Sequence, residues 1–362
     1  MIMKSICRIL VPTCLVLLAI SCSTGRPETP AATYENPVLR ANCPDPYVLD
    51  NRERDGWFYV YSTLTSSELT NGTAYIPVYR SKNLVDWEFV ADAFAGKCPE
   101  WRPGYRTWAP DVHYVDGKYY LYYALGGGSW TGGPESHAPR ATGVATSDSP
   151  TGPFEDHGIM ISYENTGIVN SIDPNLFEWK GKKYMYWGSV YAGSGIFIIQ
   201  LTDDGLSINT RSEPLKVAGN DQEGVYAHVR DGYVYLFVSE GRCCRGATSD
   251  YHVAVGRSKS PHGPFFAKDG QSMIHDLATY DTQILHSSED NEFVGPGHNS
   301  NIITDDAGND WILYHSYWKG NNYDGRCLLL DRVYWDENGW PVIGNGTPSA
   351  SGEAPYFKNI EP

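Results

Sequence analysis

Four acidic side chains and one histidine occupy matching positions along the chain, each a short distance ahead of an aromatic run. They are Asp45, Asp111, Asp173, Glu223 and His298. Carboxyl groups gathered in one place repel one another, and this repulsion raises the pKa of at least one of them. A carboxyl held protonated beside a carboxylate held ionised is the pair that general acid–base catalysis uses. If the fold brings these positions together, the sequence predicts a site for acid–base chemistry.

A turn is the alternative explanation for each acid taken alone. A pair such as Asp173-Pro174 often starts a turn, because aspartate bonds to nearby backbone and proline fixes φ. Five polar residues in one register are harder to explain in this way, since a fold gains nothing from clustering like charges. The shared register therefore favours a common site over separate turns.

The elements that would position these residues are five strand-like aromatic segments. Their sequences are WFYVYST, KYYLYYA, KYMYWGS, YVYLFVS and WILYHSY. Turn residues precede most of them, and each is followed by a second strand–turn–strand signature. Five copies of one unit, with about four strands each and little helical periodicity, are typical of a β-propeller. The sequence therefore predicts an all-β fold, a five-bladed β-propeller, with a two-sheet sandwich as the alternative.

In a propeller the first strand of each blade lines a central channel, so the four acids and the histidine would share one pocket. The chain has a net charge of −15 and no basic stripe, which disfavours nucleic acid and suits a neutral ligand. Paired carboxylates around a neutral ligand indicate glycoside hydrolysis. The aromatic content of 13% agrees with a protein that faces carbohydrate.

The N-terminus has the pattern of an export signal. Lys4 and Arg8 flank the start of a short apolar segment, too short to span a membrane. Cys22 follows small residues at the place of the lipidated cysteine in bacterial lipoproteins; a plain secretory signal is the alternative. We expect a monomer that is exported and lipid-anchored, facing the periplasm or the cell surface. The expected parts are a signal peptide at 1–22, a flexible tether at 23–35, a catalytic propeller at 36–348 and a flanking tail at 349–362.

Of the 8 cysteines, Cys7 and Cys14 are expected to leave with the signal peptide and Cys22 to carry the lipid, and five remain. An odd number leaves at least one thiol free or paired elsewhere. The adjacent Cys243 and Cys244 allow either a strained vicinal disulfide or two reduced thiols. Neither the number nor the spacing of the cysteines indicates a zinc site.

A set of segments spread over residues 36–348 resembles a known family. They are DPYV, WAPDV, SIDPN, EGVY, FVSEGRCCRG, VGRSKSPHGPF and GPGHNSNIITDDAGNDWILYH. Together they resemble glycoside hydrolase family 43, and within it the endo-1,5-α-L-arabinanases. The double cysteine and GPGHNS favour arabinanases over xylosidases. The resemblance implies a five-bladed propeller that cleaves α-1,5-linked L-arabinofuranosyl bonds in arabinan with inversion of configuration.

By this resemblance Asp45 is the general base, Glu223 is the general acid, and Asp173 is a third acid that raises the donor's pKa and orients it. Inversion implies that the carboxyls of Asp45 and Glu223 lie roughly 6.5–9.5 Å apart, with room for a water. His298 matches a histidine that faces a hydrated metal ion, usually calcium. Calcium prefers oxygen ligands, so a metal-free histidine bonded to an acid is the alternative.

Other residues are candidates for contacts with the sugar. Asn170 and Ser189 match positions that hydrogen-bond arabinose hydroxyls in the family. Trp108 could stack on a sugar face, with core packing as the alternative. Asp111 is counted with these substrate-binding candidates, although its place in the WAPDV strand suits a structural role better.

Two features depart from the family pattern. Pro44 precedes the expected base where many relatives carry another residue, commonly histidine, which puts in doubt the contacts made by that side chain. The loop at 126–140 is long and rich in glycine. Within it, Trp130 and His137 either border the cleft or lie in a surface loop.

Three functions remain open at this point. The first is an endo-acting arabinan hydrolase. The second is an exo-acting α-L-arabinofuranosidase or β-xylosidase of the same family, which would use the same chemistry in a cleft of different shape. The third is a non-catalytic glycan-binding propeller, which is disfavoured because all three expected catalytic positions are acidic.

Overall fold

The structure of the protein is a computed structural model, which describes residues 32–99, 105–127, 140–190, 194–275 and 283–358. The expected signal peptide, Cys22, Trp130 and His137 lie outside these residues. Within them, no helix is both long and apolar enough to cross a membrane.

The described secondary structure is almost entirely β-strand. In chain order the strands are β1 (Thr33–Glu35), β2 (Tyr47–Asp50), β3 (Phe58–Tyr61), β4 (Thr65–Ser67), β5 (Gly72–Ala74), β6 (Pro77–Ser81), β7 (Glu88–Asp92), β8 (Arg106–Val115), β9 (Lys118–Gly126), β10 (Ala141–Ser147), β11 (Glu155–Ile161), β12 (Asn175–Trp179), β13 (Lys182–Ser189), β14 (Gly195–Gln200), β15 (Leu215–Ala218), β16 (Gln222–Arg230), β17 (Tyr233–Glu240), β18 (His252–Ser258), β19 (Gln283–Leu285), β20 (Phe293–Gly297), β21 (Ile302–Thr304), β22 (Asp310–Trp318), β23 (Arg326–Trp335), β24 (Pro341–Ile343) and β25 (Ser351–Glu353). The helical elements are short: α1 (Arg52–Asp55), α2 (Tyr163–Thr166) and 3₁₀ turns at Gly246–Thr248 and Lys319–Asn321.

Five antiparallel sheets, each built from strands that follow one another along the chain, form the blades. Their strand orders are β2-β3-β6-β7 in blade 1, β8-β9-β10-β11 in blade 2, β12-β13-β14-β15 in blade 3, β16-β17-β18-β19 in blade 4 and β20-β22-β23-β24 in blade 5, where β21 also pairs with β22. The first strands of blades 1 to 4 contact one another in turn, as they do around a channel. This architecture confirms the predicted five-bladed β-propeller.

Two-residue turns join the first two strands of blades 2, 3 and 4. They are Asp116-Gly117, Lys180-Gly181 and Asp231-Gly232, with φ from 48° at Asp116 to 92° at Gly117. Positive φ at both positions is the type I′ turn, whose twist matches that of the flanking strands. The short signals VDG, WKG and RDG in the sequence therefore set the register of these three hairpins.

The hydrophobic core lies between the blades rather than in one central mass. Five clusters of buried side chains each join two neighbouring blades. One of them closes the ring, because it packs Phe58 of blade 1 against Trp311 and Leu313 of blade 5. A four-stranded blade cannot cover its own faces, so this stacking is what buries its apolar residues.

The two ends of the described chain also meet at blade 5. β1 pairs antiparallel with β25. Asn36 Nδ2 donates to the Leu330 carbonyl at 2.9 Å, and Asn36 Oδ1 accepts from the Leu330 amide at 2.9 Å. Residues 33–35 and 351–353 therefore form a two-stranded sheet in which the two ends of the described chain pair.

One residue in the innermost segment of each blade has a left-handed backbone. The five residues have φ between 42° and 58° and are Asp45, Ala109, Asp173, Gly224 and His298. Proline follows in the first three blades, at positions 46, 110 and 174. These five residues show which positions are equivalent from one blade to the next.

This equivalence corrects the predicted register for Asp111. Asp45, Asp173 and His298 are equivalent, and Glu223 stands one residue before its equivalent position. Asp111 lies two residues beyond Ala109, past a register shift between Trp108 and Asp111 in the β8–β9 ladder. Aligning the three prolines would have revealed this offset.

The residue two places after the left-handed residue binds the next blade. Asp111 Oδ2 accepts from the Leu176 amide at 2.6 Å, Asn175 Oδ1 from the Ala227 amide at 2.9 Å, the Tyr226 hydroxyl from the Ile302 amide at 3.1 Å, and Ser300 Oγ from the Val48 amide at 3.0 Å. At the remaining junction, the Tyr47 hydroxyl lies 3.3 Å from His113 Nε2. We call Tyr47, Asp111, Asn175, Tyr226 and Ser300 the inter-blade ring.

The inter-blade ring gives Asp111 a structural role. Its side chain is buried, and Oδ1 also accepts from Asn175 Nδ2 at 3.3 Å, while His113 Nε2 lies 2.9 Å from Oδ2. A buried backbone amide without a partner is costly. Asp111 therefore stabilises the junction of blades 2 and 3, which is the structural role that its place in the WAPDV strand suggested.

We expect Asp111→Ala to lower the free energy of unfolding by about 1.5–3 kcal/mol, because the Leu176 amide loses a charged acceptor. Urea denaturation followed by tryptophan fluorescence measures this change. Asp148→Ala is the matched control, since Asp148 is exposed and only 3.4 Å from Lys118 Nζ in a surface pair that contributes about 0–1 kcal/mol. Equal stabilities of the two variants would contradict the structural role.

Candidate active site

One cavity of about 730 Å³ opens at the left-handed residues of the inner strands. Asp45, Asp173, Glu223 and His298 all line it. The structure therefore brings together four of the five positions that the repeats singled out, although they are distant in sequence. Each comes from a different blade, so the cavity exists only in the closed ring.

The Asp45 carboxylate has a donor on each oxygen. Arg326 Nη1 donates to Oδ1 at 3.0 Å, and Thr63 Oγ1 donates to Oδ2 at 2.6 Å. The Nδ1 atoms of His298 and His315 lie 3.4 Å and 3.3 Å from Oδ1. The Asp45 amide also donates to His315 Nδ1 at 3.0 Å. Backbone and side chain of Asp45 are therefore both fixed.

Burial by itself would raise the pKa of Asp45. The positive charge of Arg326 outweighs burial and holds the pKa of Asp45 well below its usual range. Burial lowers the pKa of His315 to about 4 and also lowers the pKa of His298. Both imidazoles are therefore neutral at neutral pH, and Arg326 is the fixed positive charge that keeps Asp45 ionised.

Glu223 faces the same cavity with two hydroxyl partners. Ser189 Oγ donates to Oε2 at 2.8 Å, and the Tyr251 hydroxyl donates to Oε1 at 3.0 Å. The Tyr251 ring stacks on His315, with centroids 5.7 Å apart and an interplanar angle of 8°. Tyr251, which bonds to Glu223, is thus packed directly on His315, which contacts Asp45.

Asp173 lies beside Glu223, since the Gly224 amide donates to Asp173 Oδ2 at 3.0 Å. Burial and the repulsion from Glu223 raise the pKa of Asp173 well above its usual range. Burial also raises the pKa of Glu223, against the hydrogen bonds from Ser189 and Tyr251 that lower it. Two coupled carboxyls in this environment retain a proton as a pair. The pKa values of these two neighbouring acids are therefore raised, whereas the pKa of Asp45 in the same cavity is lowered.

Two glycines allow these side chains to approach closely. A Cβ atom on Gly224 would lie 3.1 Å from the His298 ring, and one on Gly297 would lie 2.2 Å from the Tyr251 ring. Gly224 also has a positive φ of 58°, which side chains disfavour. Glycine at both positions is therefore needed for the packing around Glu223.

The sequence-predicted sugar contacts divide into two groups. Trp108 and Ser189 line the cavity, and the Arg140 guanidinium lies 5.7 Å from the centre of the Trp108 ring. Asn170 is fully buried instead: its Oδ1 accepts from Arg140 Nη1 at 3.0 Å, and its Nδ2 donates to the Val190 carbonyl at 3.0 Å. The predicted contact of Asn170 with sugar is thus corrected, because Asn170 holds Arg140, which lines the cavity.

Several residues of the site were not found from the sequence. They are Thr63, Arg140, Tyr251, His315 and Arg326. Arg326 begins the third strand of blade 5 and Thr63 follows the second strand of blade 1, so neither stands at a blade opening. The signal that could have found Arg326 is physical: a carboxylate kept ionised in a buried site needs a nearby positive charge.

The predicted calcium ion fits the described residues poorly. Calcium takes six to eight oxygen ligands, and no group of three or more His, Cys, Asp or Glu side chains in the described chain is placed to hold a metal. His298 presents Nδ1 to Asp45, whose Oδ1 already accepts from Arg326. No step of the chemistry is therefore derived through a metal.

Pro44 helps to position Thr63, the residue that donates to Asp45. The Pro44 carbonyl accepts from the Thr63 amide at 2.9 Å. All five cysteines of the described chain are free thiols, so Cys243 and Cys244 are reduced here. Both line the cavity.

Comparison with known proteins agrees with this geometry. The family model described as "Glycosyl hydrolases family 43" matches residues 34–341. The chain belongs to glycosyl hydrolases family 43.

Curated relatives of this family 43 chain include enzymes of two modes of action. It is 31% identical over 319 residues to the extracellular exo-α-(1→5)-L-arabinofuranosidase ArbA of Cellvibrio japonicus, covering 81% of this chain and 84% of the relative. It is 30% identical over 304 residues to the extracellular endo-α-(1→5)-L-arabinanase 1 of Bacillus subtilis, covering 80% and 84%.

Solved structures give the same family. The Cellvibrio cellulosa α-L-arabinanase complexed with arabinohexaose matches with a TM-score of 0.71 at 27% identity, covering 84% of this chain and 96% of that one. An exo-1,5-α-L-arabinanase from a bovine ruminal metagenomic library matches with a TM-score of 0.68 at 27% identity, covering 84% and 97%. This family 43 chain is therefore a glycoside hydrolase.

We expect Arg326→Met to raise the pKa of Asp45, because the substitution removes the positive charge that lowers it. Asp45 must be ionised to act as a base, so the acid limb of the pH profile for glycoside hydrolysis moves to higher pH. Arg245→Met is the control, since Arg245 lines the cavity without contacting Asp45. An acid limb that stays in place in Arg326→Met would contradict the role given to Arg326.

Proposed function

We propose that the protein hydrolyses α-1,5-linked L-arabinofuranosyl bonds in arabinan with inversion of configuration, and that it is endo-acting. The observation that carries the proposal is the arrangement in one cavity of Asp45, bonded to Arg326, and the neighbouring acids Glu223 and Asp173. Family 43 relatives named for arabinan hydrolysis support the choice of substrate.

In the proposed mechanism Asp45 is the general base. Its ionised carboxylate accepts a proton from water as the water oxygen attacks the anomeric carbon from one face of the sugar. Arg326 and Thr63 hold both Asp45 oxygens in place. The same contacts keep the pKa of Asp45 low, so it remains a base in mildly acidic conditions.

Glu223 is the general acid and donates its proton to the leaving glycosidic oxygen. Ser189 and Tyr251 orient its two oxygens. Asp173 does not reach the bond that breaks; it raises the proton affinity of the pair by repulsion, and its link to the Gly224 amide fixes the distance between the acids. Single displacement by water with acid assistance on the other face gives inversion.

The proposal of endo action is supported by the relative named endo-α-(1→5)-L-arabinanase 1. An exo-acting α-L-arabinofuranosidase is the second candidate, supported by the relative of that name. A β-xylosidase of the same family and a non-catalytic glycan-binding propeller are outcomes that the product assay below distinguishes.

For location, we propose export, with a lipid on Cys22 holding a monomeric propeller at a membrane face. Relatives named extracellular support export. Cys22→Ala should release the protein from the membrane fraction into the soluble fraction, as judged by immunoblot after carbonate washing. Release of the protein without the substitution in the same wash would contradict anchoring.

A calcium ion near His298 stays a prediction. An unaltered melting temperature after thorough chelation would contradict it.

We expect incubation with linear, debranched arabinan to release oligosaccharides before arabinose, because an endo enzyme cuts within the chain. Size-resolved chromatography over time measures this order. Arabinose alone from the first time point indicates exo action, and release of xylose from xylo-oligosaccharides indicates the xylosidase. No product from any of these polymers would contradict a hydrolase.

We expect Glu223→Gln and Asp45→Asn each to lower the rate of arabinan hydrolysis by roughly 10²–10⁴-fold, the range for loss of one proton-transfer group. Glu178→Gln is the control, because Glu178 is exposed and does not line the cavity. Initial rates and melting temperatures measured together separate chemistry from folding. Near-normal rates in both variants would overturn the assignment.

A further inference from the structure

Two adjacent thiols stand in the wall of the cavity, and the mechanism uses neither. Cys243 and Cys244 line the cavity, with Cys244 exposed and Cys243 half-buried. Of the other three cysteines in the described chain, Cys43 and Cys327 are buried in the core and Cys98 bonds to the Tyr105 carbonyl at 3.4 Å. Only the adjacent pair therefore meets solvent inside the substrate cavity.

The loop that holds the pair, between β17 and β18, is firmly anchored. Ser249 Oγ donates to the Arg242 carbonyl at 2.7 Å, and the Arg242 guanidinium binds Asp250 Oδ2 through two nitrogens, at 2.9 Å and 2.7 Å. The thiols are thus kept at the cavity wall.

Charges of both signs surround the pair. Arg242 and Arg245 flank it in sequence, and Arg326, Asp45 and Glu223 line the same cavity. A hydrogen bond from Cys243 lowers the pKa of Cys244; the charge of Arg326 acts in the same direction, while burial, Asp45 and Glu223 oppose it. The same hydrogen bond, with burial, raises the pKa of Cys243. Cys244 is therefore the thiol that ionises first, and the thiolate is the reactive form.

We propose that Cys243 and Cys244 form a redox-modification site for oxidised thiol carriers, and that oxidation of this dithiol weakens binding of the polysaccharide in the cavity. The functional consequence rests on the proposed arabinan hydrolysis, because it concerns access to the same cavity. The chemistry at the thiols does not depend on the substrate.

The reaction balances as ordinary thiol–disulfide exchange. The Cys244 thiolate attacks one sulfur of the carrier disulfide, forms a mixed disulfide and releases the other half as a thiolate, which takes up the proton that Cys244 lost. Cys243, once deprotonated, attacks the Cys244 sulfur, closes the vicinal disulfide and releases the second carrier thiol. Two protein thiols are oxidised and one carrier disulfide is reduced.

The vicinal disulfide should be easy to reduce again. Neighbouring Cα atoms are about 3.8 Å apart, whereas Cα atoms joined by a disulfide are usually about 4.4–6.8 Å apart. The closed ring is therefore strained, and strained disulfides are the labile ones. Oxidation at this site is thus reversible, unlike that of a structural disulfide.

Either oxidised form changes the cavity. A mixed disulfide adds a carrier-sized group to the wall of a space of about 730 Å³. Closing the vicinal disulfide instead moves the backbone of residues that stand beside Arg326 and near Glu223. Both changes act on substrate access or on the partners of the catalytic groups.

The test treats the purified chain with glutathione disulfide, maps its peptides by mass spectrometry without reductant, and measures binding of arabinohexaose by calorimetry. We expect either a glutathione adduct or the loss of two hydrogens on the peptide that contains both cysteines. We also expect the Kd for arabinohexaose to rise by roughly tenfold or more, equivalent to about 1.4 kcal/mol, and to recover with dithiothreitol.

Three variants sharpen the test, each compared with its own untreated form. Cys244→Ser should keep its Kd after treatment. Cys243→Ser should accumulate the mixed disulfide at Cys244, because it lacks the second thiol. Cys98→Ser is the matched control and should respond as the unchanged chain does, since Cys98 lies outside the cavity.

Absence of modification at Cys244, an unchanged Kd after complete modification, or an equal loss of binding in Cys244→Ser would each overturn this inference. Peptide mapping needs no substrate, so its result stands whether or not arabinan is cleaved. If Cys244 is modified but the untreated chain neither binds nor hydrolyses arabinan, both the proposed function and the effect on the cavity are overturned. If the chain is active but Cys244 is not modified, only the redox inference is overturned.

Discussion

The inner edge of each blade carries backbone amides that have no strand to pair with, and this constraint organises the molecule. At four of the five junctions a side chain of the inter-blade ring accepts from an amide of the next blade, as Asp111 does from Leu176 and Asn175 does from Ala227. At the fifth, the Tyr47 hydroxyl contacts the His113 side chain. Because each acceptor belongs to the preceding blade, the bonds fix the position of every blade relative to the next. The left-handed residues two places earlier are thereby held at the cavity.

The same arrangement makes the site a property of the closed ring. Asp45 comes from blade 1 and Arg326, which keeps it ionised, from blade 5, so their ion pair bridges the junction where the ring closes. Glu223 and Asp173 come from blades 4 and 3 and meet through the Gly224 amide. The buried cluster that joins blades 1 and 5, to which Phe58 and Trp311 belong, therefore supports this ion pair as well as the stability of the fold.

The five sequence repeats predicted the fold and identified Asp45, Asp173, Glu223 and His298 as candidate site residues, because aromatic strands and turn signals recur with each blade. It failed for Asp111, since a local register shift displaced that residue by two positions. It could not find Arg326 or Tyr251, which lie on later segments of their blades and reach the cavity only through tertiary packing. Asn170 was misassigned because burial, which decides whether an amide meets sugar or Arg140, is not visible in a motif.

The left-handed backbone at Asp45 and Asp173 bears on how this type of propeller can change during evolution. Asparagine and aspartate tolerate φ values near 53° and 56° better than most other residues. A descendant that gives up catalysis while remaining folded is therefore expected to carry asparagine or glycine at these places, whereas position 223 is free of that restraint. Homologues that only bind carbohydrate would therefore show a narrower set of replacements at positions 45 and 173 than at position 223.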